Sequence, residues 1–187
     1  MKKVKLAADT LLYPMPAVLV GTMVDDKPNV MTAAWCGIAA SKPPALSVGI
    51  RKERHTFRGI EQQKVFSINV ASADLAAKVD YCGIYSGRKR DKSQVFNLFY
   101  GALDAAPMVE ECPVNLACKV LHTLDLGSHV LVVGEIVETY VSDDCLSDGK
   151  PDQVKIDPLI YTTAVQEYRR LGDVVARAFH AGKALKK

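Results

Sequence analysis

Hydrophobic positions along the chain fall into short runs separated by turn formers. Residues 17–24 (AVLVGTMV) are apolar and rich in β-branched side chains, and residues 25–29 (DDKPN) gather turn formers behind them. Residues 30–36 resume the apolar run, so the pair predicts a hairpin. Ser41-Lys42-Pro43-Pro44 then breaks the chain, because consecutive prolines cannot donate to a ladder and push the preceding residue into extended backbone. A third strand is predicted over residues 45–50. Residues 56–63 hold helix formers with Thr56 as a candidate cap, residues 65–70 (VFSINV) read as a fourth strand, and Ser72 is a candidate cap for a helix through about Val79. Residues 114–120 alternate on a period of two, and residues 129–141 form a long Val-rich extended segment, with Asp125 and Gly127 in the turn between them. Near the end, apolar positions at 171, 174, 175, 178 and 179 approach helical spacing and predict a C-terminal helix over about 171–185, packed on the barrel or on another subunit.

Two long strands joined by a short turn are antiparallel neighbours. The pattern therefore predicts a mainly β fold, an antiparallel barrel or sandwich with a few helices, rather than a doubly wound parallel sheet. The chain has 187 residues, 49% of them hydrophobic, with no internal repeat and one clear surface loop at 142–153, which reads as a single domain over 1–187. No segment approaches the roughly 20 apolar residues of a membrane-spanning helix. Asp9, Pro14 and Pro16 interrupt the N-terminal apolar stretch before it resembles a signal peptide, which predicts a cytoplasmic protein with no membrane partner. Its 24 basic and 21 acidic residues leave a net charge of +3, too small to favour a long polyanion such as nucleic acid. The five cysteines (36, 82, 112, 118, 145) contain no Cys-x-x-Cys pair and read as reduced structural thiols. His55, His122, His129 and His180 stand too far apart in sequence for metal-ligand spacing, so no metal is expected.

The chain lacks Gly-x-Gly-x-x-Gly, a Walker-type loop, a Gly-x-Ser-x-Gly elbow and His-Glu-x-x-His. Two basic clusters remain. Arg51-Lys52-Glu53-Arg54-His55-Thr56 lies where a strand ends and a helix begins, so a phosphate there could accept from an arginine, a hydroxyl and free helix N–H groups. In Ser86-Gly87-Arg88-Lys89-Arg90-Asp91-Lys92, Gly87 permits an unusual turn beside concentrated positive charge. Together they point to one terminal phosphate held between two loops.

In order along the chain stand Asn29-Val-Met-Thr-Ala-Ala-Trp35, Ser41-Lys-Pro-Pro44, Ser47-Val-Gly-Ile-Arg51 with His55-Thr56, Ser86-Gly-Arg88 with Asp91-Lys92, and Gly127-Ser-His129 with Gly134-Glu135. From about Pro14 to Gly172 they resemble the flavin reductase-like domain family, above all its flavoredoxin-type members. The resemblance implies an FMN-binding split β-barrel, antiparallel and Greek-key-like, forming a homodimer with flavin near the interface. It implies that Thr32, Ala33, Ala34 and Trp35 line the isoalloxazine, and that Ser47, Val48, Gly49, Ile50 and Arg51 run beside the ribityl chain. Arg51, His55 and Thr56 would hold the phosphate, with Ser86 and Lys92 closing its other side. His129 would stand near the mouth and orient a substrate, with no side chain required as a catalyst. Tyr161 and Tyr168 are weaker candidates whose default is a rim position.

The implied activity is electron transfer, in which bound FMN takes a hydride from NAD(P)H, or electrons from another reduced donor such as a redox protein, and passes them on. One alternative is a reductase using FMN or FAD as a diffusible substrate for a monooxygenase or for ferric complexes; another is a flavin-binding protein without turnover. A nucleic-acid module is disfavoured because no aromatic side chain interleaves the basic clusters.

Overall fold

The computed structural model describes residues 1–185. Seven antiparallel strands carry the fold: β1 (Val18–Val24), β2 (Lys27–Ala33), β3 (Cys36–Ser41), β4 (Pro44–Arg51), β5 (Val65–Val70), β6 (Val114–Asp125) and β7 (His129–Val141). Helix α1 (His55–Gln63) crosses from β4 to β5, and a 3-10 turn at Ala73–Leu75 leads into α2 (Ala76–Ile84). The strand order is β2-β1-β5-β6-β7-β4-β3. Its two edge strands are consecutive in sequence, separated by Ala34 and Trp35 alone. The expected split barrel is present, and the split falls at that connector.

β1 is buried on both faces, which is why its sequence reads as a continuous apolar run rather than an alternation. Val18 and Val20 point into the barrel with Val48, Ile50, Phe66, Ile68 and Val132, capped by Phe57 and Ile60 of α1. Leu19 points outward into a second core with Val30, Val79 and Cys82, beneath α2. Gly134 makes room for the barrel's largest side chain, since a Cβ there would lie 2.6 Å from Phe66 Cζ. A bulge in the β6–β7 ladder occurs at the same place.

Several expectations are corrected. The first turn is the two residues Asp25 and Asp26, both at positive φ, so Lys27, Pro28 and Asn29 belong to β2. Pro28 is tolerated because β2 is an edge strand and needs no donor there. Residues 30–36 are not one strand: β2 ends at Ala33 and Cys36 starts β3. Thr56 does not cap α1. The N-cap is Arg54, without a side-chain bond, and Thr56 instead accepts from Asn29 Nδ2 at 2.6 Å. Ser72 precedes the 3-10 turn without capping it, and α2 continues to Ile84. The helix expected over 171–185 is absent: residues 171–177 have no regular structure, and only Ala181–Leu185 form a 3-10 helix. Nothing on the fold buries the apolar positions that suggested a helix, so no amphipathic face forms.

A buried polar knot ties the barrel to the 107–109 segment. Asn69 Nδ2 donates to Leu19 O at 3.0 Å, while Asn69 Oδ1 accepts from Val109 N and Asn115 Nδ2, both at 2.9 Å. Replacing Asn69 by Leu strands those partners in the interior and is expected to cost about 3 kcal/mol, at roughly 1–3 kcal/mol per unsatisfied group. Urea unfolding with an unchanged midpoint would refute this.

Candidate functional site

A cleft of about 370 Å³ opens where the barrel fails to close, within the range of small-molecule sites. Its floor is the connector. Cys36 N donates to Ala34 O at 2.9 Å, and Gly49 N donates to Trp35 O at 2.8 Å, which turns the chain sharply and pins it to β4. A Cβ on Gly49 would meet Trp35 Cβ at 3.3 Å, so the close approach favours glycine. Trp35 is half exposed and lies against His129, ring centroids 5.5 Å apart. Ser128 Oγ meets His129 Nδ1 at 2.9 Å, leaving Nε2 as the free ring nitrogen. The opposite wall comes from α2 and the hairpin of residues 160–169: Asp80, Gly83, Tyr161, Gln166 and Tyr168. Tyr168 donates to Asp80 Oδ1 at 3.1 Å, and burial together with that carboxylate holds its phenol well above the ordinary value.

At the other end the cleft reaches Arg51 and Arg54, which lead to the N-terminus of α1. That terminus has neither a side-chain cap nor an acidic residue in its first turn; Phe57 N donates to Arg54 O at 3.0 Å, and the N–H groups of His55 and Thr56 and the positive dipole end are left for an anion. Cations gather around it. Lys92, 3% exposed, donates Nζ to Cys82 O at 3.1 Å, and desolvation, reinforced by nearby Arg54, pushes its pKa down to about 8. His55 is held below its ordinary value by desolvation and then by Arg88, Arg58 and Lys92. Its Nδ1 is buried with no hydrogen-bond partner. Gly87 brings the second basic loop onto this spot, where a Cβ would lie 2.0 Å from Asn29 Oδ1 and 2.9 Å from His55 Cδ2. Among the described residues, Arg54, Arg88 and Lys92 have no carboxylate within 4.0 Å. Of the three only Lys92 is buried, and burying its charge without a counterion is costly, to which the orphaned ring nitrogen of His55 adds. A ligand with a flat aromatic end and a terminal anion fits both ends of the cleft.

Of the residues expected from sequence, Thr32, Ala33, Ala34, Trp35, Gly49, Ile50, Arg51 and His129 line the cleft. The Thr32 hydroxyl is engaged by Val79 O of α2, so this residue offers the cleft mainly its backbone. The Val48 side chain is fully buried in the barrel core, and Ser47 faces a second, apolar groove on the far side of Trp35. Arg51 is exposed beside Glu53 at 3.7 Å. His55, Thr56, Ser86 and Lys92 lie outside the cleft lining. His55, Thr56 and Lys92 gather at the start of α1, while Ser86 caps its own loop by accepting from Arg88 N at 3.3 Å.

Sequence reasoning passed over Asn29, Arg54, Asp80 and Gly83, and underweighted Tyr161 and Tyr168. Arg54 stood in the first basic cluster, and its place just before α1 was the available signal. Cys36 is pushed up to about 12 by burial, which leaves it a poor nucleophile. Among the described residues no three His, Cys, Asp or Glu side chains are grouped to hold a metal, and no helix is long and apolar enough to cross a membrane.

The flavin reductase like domain model matches residues 10–172 of this chain. Among solved structures, the flavoredoxin from Methanosarcina acetivorans is 40% identical, covers 100% of both chains and superposes with a TM-score of 0.96. The flavoredoxin of Desulfovibrio vulgaris (Miyazaki F) is 41% identical over 97% of this chain and 100% of that one, with a TM-score of 0.89. A ferric-chelate reductase (NAD(P)H) of Archaeoglobus fulgidus is 27% identical over 107 residues, 56% of this chain and 62% of the relative.

Lys92 carries a pH signature. Folded, it releases its proton near pH 8, whereas the unfolded chain keeps it to about 10.5, so the unfolded state binds more protons between those values. Stability from this group therefore rises with pH across that window. Relative to Lys92→Met, the ligand-free wild-type protein is expected to gain thermal stability as the pH rises from 8 to 10. A difference between the two melting temperatures that stays constant with pH would remove the buried charge from the account.

Proposed function

The chain belongs to the flavin reductase-like domain family, and on that premise we propose that it binds one FMN per chain and works as an oxidoreductase that moves electrons from NAD(P)H or another reduced donor to an acceptor. The observation that carries this reading is the unneutralised group Arg54, His55, Arg88 and Lys92 at the uncapped start of α1, adjoining a cleft walled by Ala34 and Trp35. Its cations, buried Lys92, half-buried Arg54 and exposed Arg88, gather at one helix start, which suits a single terminal phosphate and is the argument for FMN over FAD.

When bound, the flavin supplies the redox chemistry. The protein's residues bind and orient. Arg54, His55, Lys92 and the free N–H groups of α1 hold the phosphate, and the Thr56 hydroxyl, already accepting from Asn29, is placed to donate to it. The small side chains of Ala33, Ala34 and Gly49 let backbone approach the ring edge. Trp35 and His129 form one wall, and Tyr161 with the Asp80-anchored Tyr168 the other. His129, its Nδ1 fixed by Ser128, keeps Nε2 for an incoming electron partner. The homodimer expected from sequence remains part of the proposal. It is supported by the apolar surface left open by Ile38 of β3, Leu121 and Leu124 of β6, and Val137 of β7.

Incubation with FMN followed by desalting is expected to leave flavin absorption bands with the protein at one per chain, bleached anaerobically by NADH or NADPH. A colourless protein overturns tight binding and leaves the diffusible-substrate reductase, and bound flavin that no reduced donor bleaches leaves a carrier without turnover. Arg54→Ala and Lys92→Met are each expected to weaken FMN by about 10- to 100-fold, at roughly 1.5–3 kcal/mol per charge-assisted bond, and riboflavin by less than about twofold. Equal losses for both ligands would remove the phosphate assignment.

A further inference from the structure

We propose that the C-terminal segment, residues 171–185, is an exchanged arm: it crosses to a second copy of this chain, fills the apolar groove behind Trp35, and so completes the wall of the partner's flavin cleft. This rests on the dimeric, flavin-binding reading above.

Two unpartnered apolar surfaces on one chain carry the inference. The first is the arm. Arg170 is tied to Asp157 at 3.3 Å, and residues 171–174 run past Gln153 and Val154. From there the arm leaves its own fold, with Val174 at 78%, Val175 at 98%, Phe179 at 100% and Leu185 at 85% exposure. Large apolar side chains presented together to water, on a segment irregular up to residue 180 and ending in the short 3-10 helix Ala181–Leu185, fit a segment that is ordered against another surface.

The second surface is a groove of about 510 Å³ on the far side of Trp35 from the cleft, walled by Leu12, Pro14, Met15, Leu126 and Leu131. Ala34, Trp35, Gly49 and His129 line both cavities, so whatever fills the groove backs the ring that walls the flavin cleft. Charge agrees with the pairing. Asp9 is the one charged residue lining the groove and its shallow extension, whereas the arm carries Arg177 and Lys183 against Asp173. Reach agrees as well. With residues up to 180 at no more than about 3.3 Å each and the 3-10 helix Ala181–Leu185 rising about 2.0 Å per residue, the arm spans up to roughly 40 Å, against a radius of gyration of about 16 Å for a chain of this length. Exchange of identical elements between two copies buries both surfaces at once.

The test uses the full chain with Phe179 replaced by the photo-crosslinking residue benzoylphenylalanine. Sedimentation before irradiation is expected to give twice the 20.4 kDa chain mass. Irradiation is then expected to join two chains, with the link mapped by mass spectrometry to the peptides holding Leu12 to Pro16 or Leu126 to Leu131. A dimer whose link returns to its own chain, or falls elsewhere on its partner, overturns the arm and leaves the homodimer standing. A monomer overturns both. As a companion, the chain ended after Gly172 is expected to shift the emission of Trp35, the protein's one tryptophan, to the red and to weaken FMN at least fivefold. Unchanged emission and affinity in a truncated dimer overturn the role of the arm in the cleft.

Discussion

The site follows from a closure that the sheet cannot complete. The edge strands β2 and β3 are joined by Ala34 and Trp35, yet they do not pair across this connector as a hairpin: β2 pairs only with β1 and β3 only with β4. An unpaired edge normally invites another strand. Here the chain folds the gap inward, pinning Trp35 O to Gly49 N and leaving the remaining connector backbone beside a cleft. The cleft's surroundings are hung on that gap: β4 beside it, α1 at the end of β4, α2 packed on β2, and His129 at the start of β7 paired with Arg51.

Against this scaffold the start of α1 is electrostatically unfavourable. Some neighbouring surface cations do find carboxylates: Lys52 meets Asp125 and Arg58 meets Asp25, each at 2.6 Å. Lys92 is instead buried against a backbone carbonyl, with Arg54 close enough to lower its pKa further. A neutral side chain would pack there at lower cost, so the arrangement makes physical sense as an anion site whose ligand returns the stability its cations take away. The steric demand on Gly87 points the same way, since the second basic loop presses directly onto Asn29 and His55, although its backbone, not at positive φ, does not make the unusual turn expected of it.

Most of the barrel was legible because its signals are local. Val65–Val70 and His129–Val141 appear with the bounds their periodicity predicted. The errors fall where tertiary context outweighs local propensity. Asp25-Asp26 closes a two-residue turn through positive φ, a choice that composition alone did not separate from a longer loop. Helical spacing over 171–185 meant nothing without a surface to bury it. In the site, the two basic clusters and the Thr32–Trp35 segment were visible as residue types at a strand end and a glycine loop. Asp80 and Gly83 were not, and Arg54 and Tyr168 were seen without their place in the site, because α1's start, α2 and the 160–169 hairpin are brought to one cleft only by the folded chain.

Trp35 is where these lines of argument meet. Trp35 and the His129 ring packed on it line both the cleft and the apolar groove, so the same side chains belong to two surfaces with different needs. A half-exposed tryptophan on a two-residue connector holds its rotamer only if something supports it from behind. His129 supplies part of that support through a tilted ring contact, and it sits on a strand end that Ser128 also steadies. The rest must come from whatever occupies the groove. An occupant of the cleft and an occupant of the groove would therefore meet the same ring, which is the physical ground for expecting order on one side to lower the entropy cost on the other.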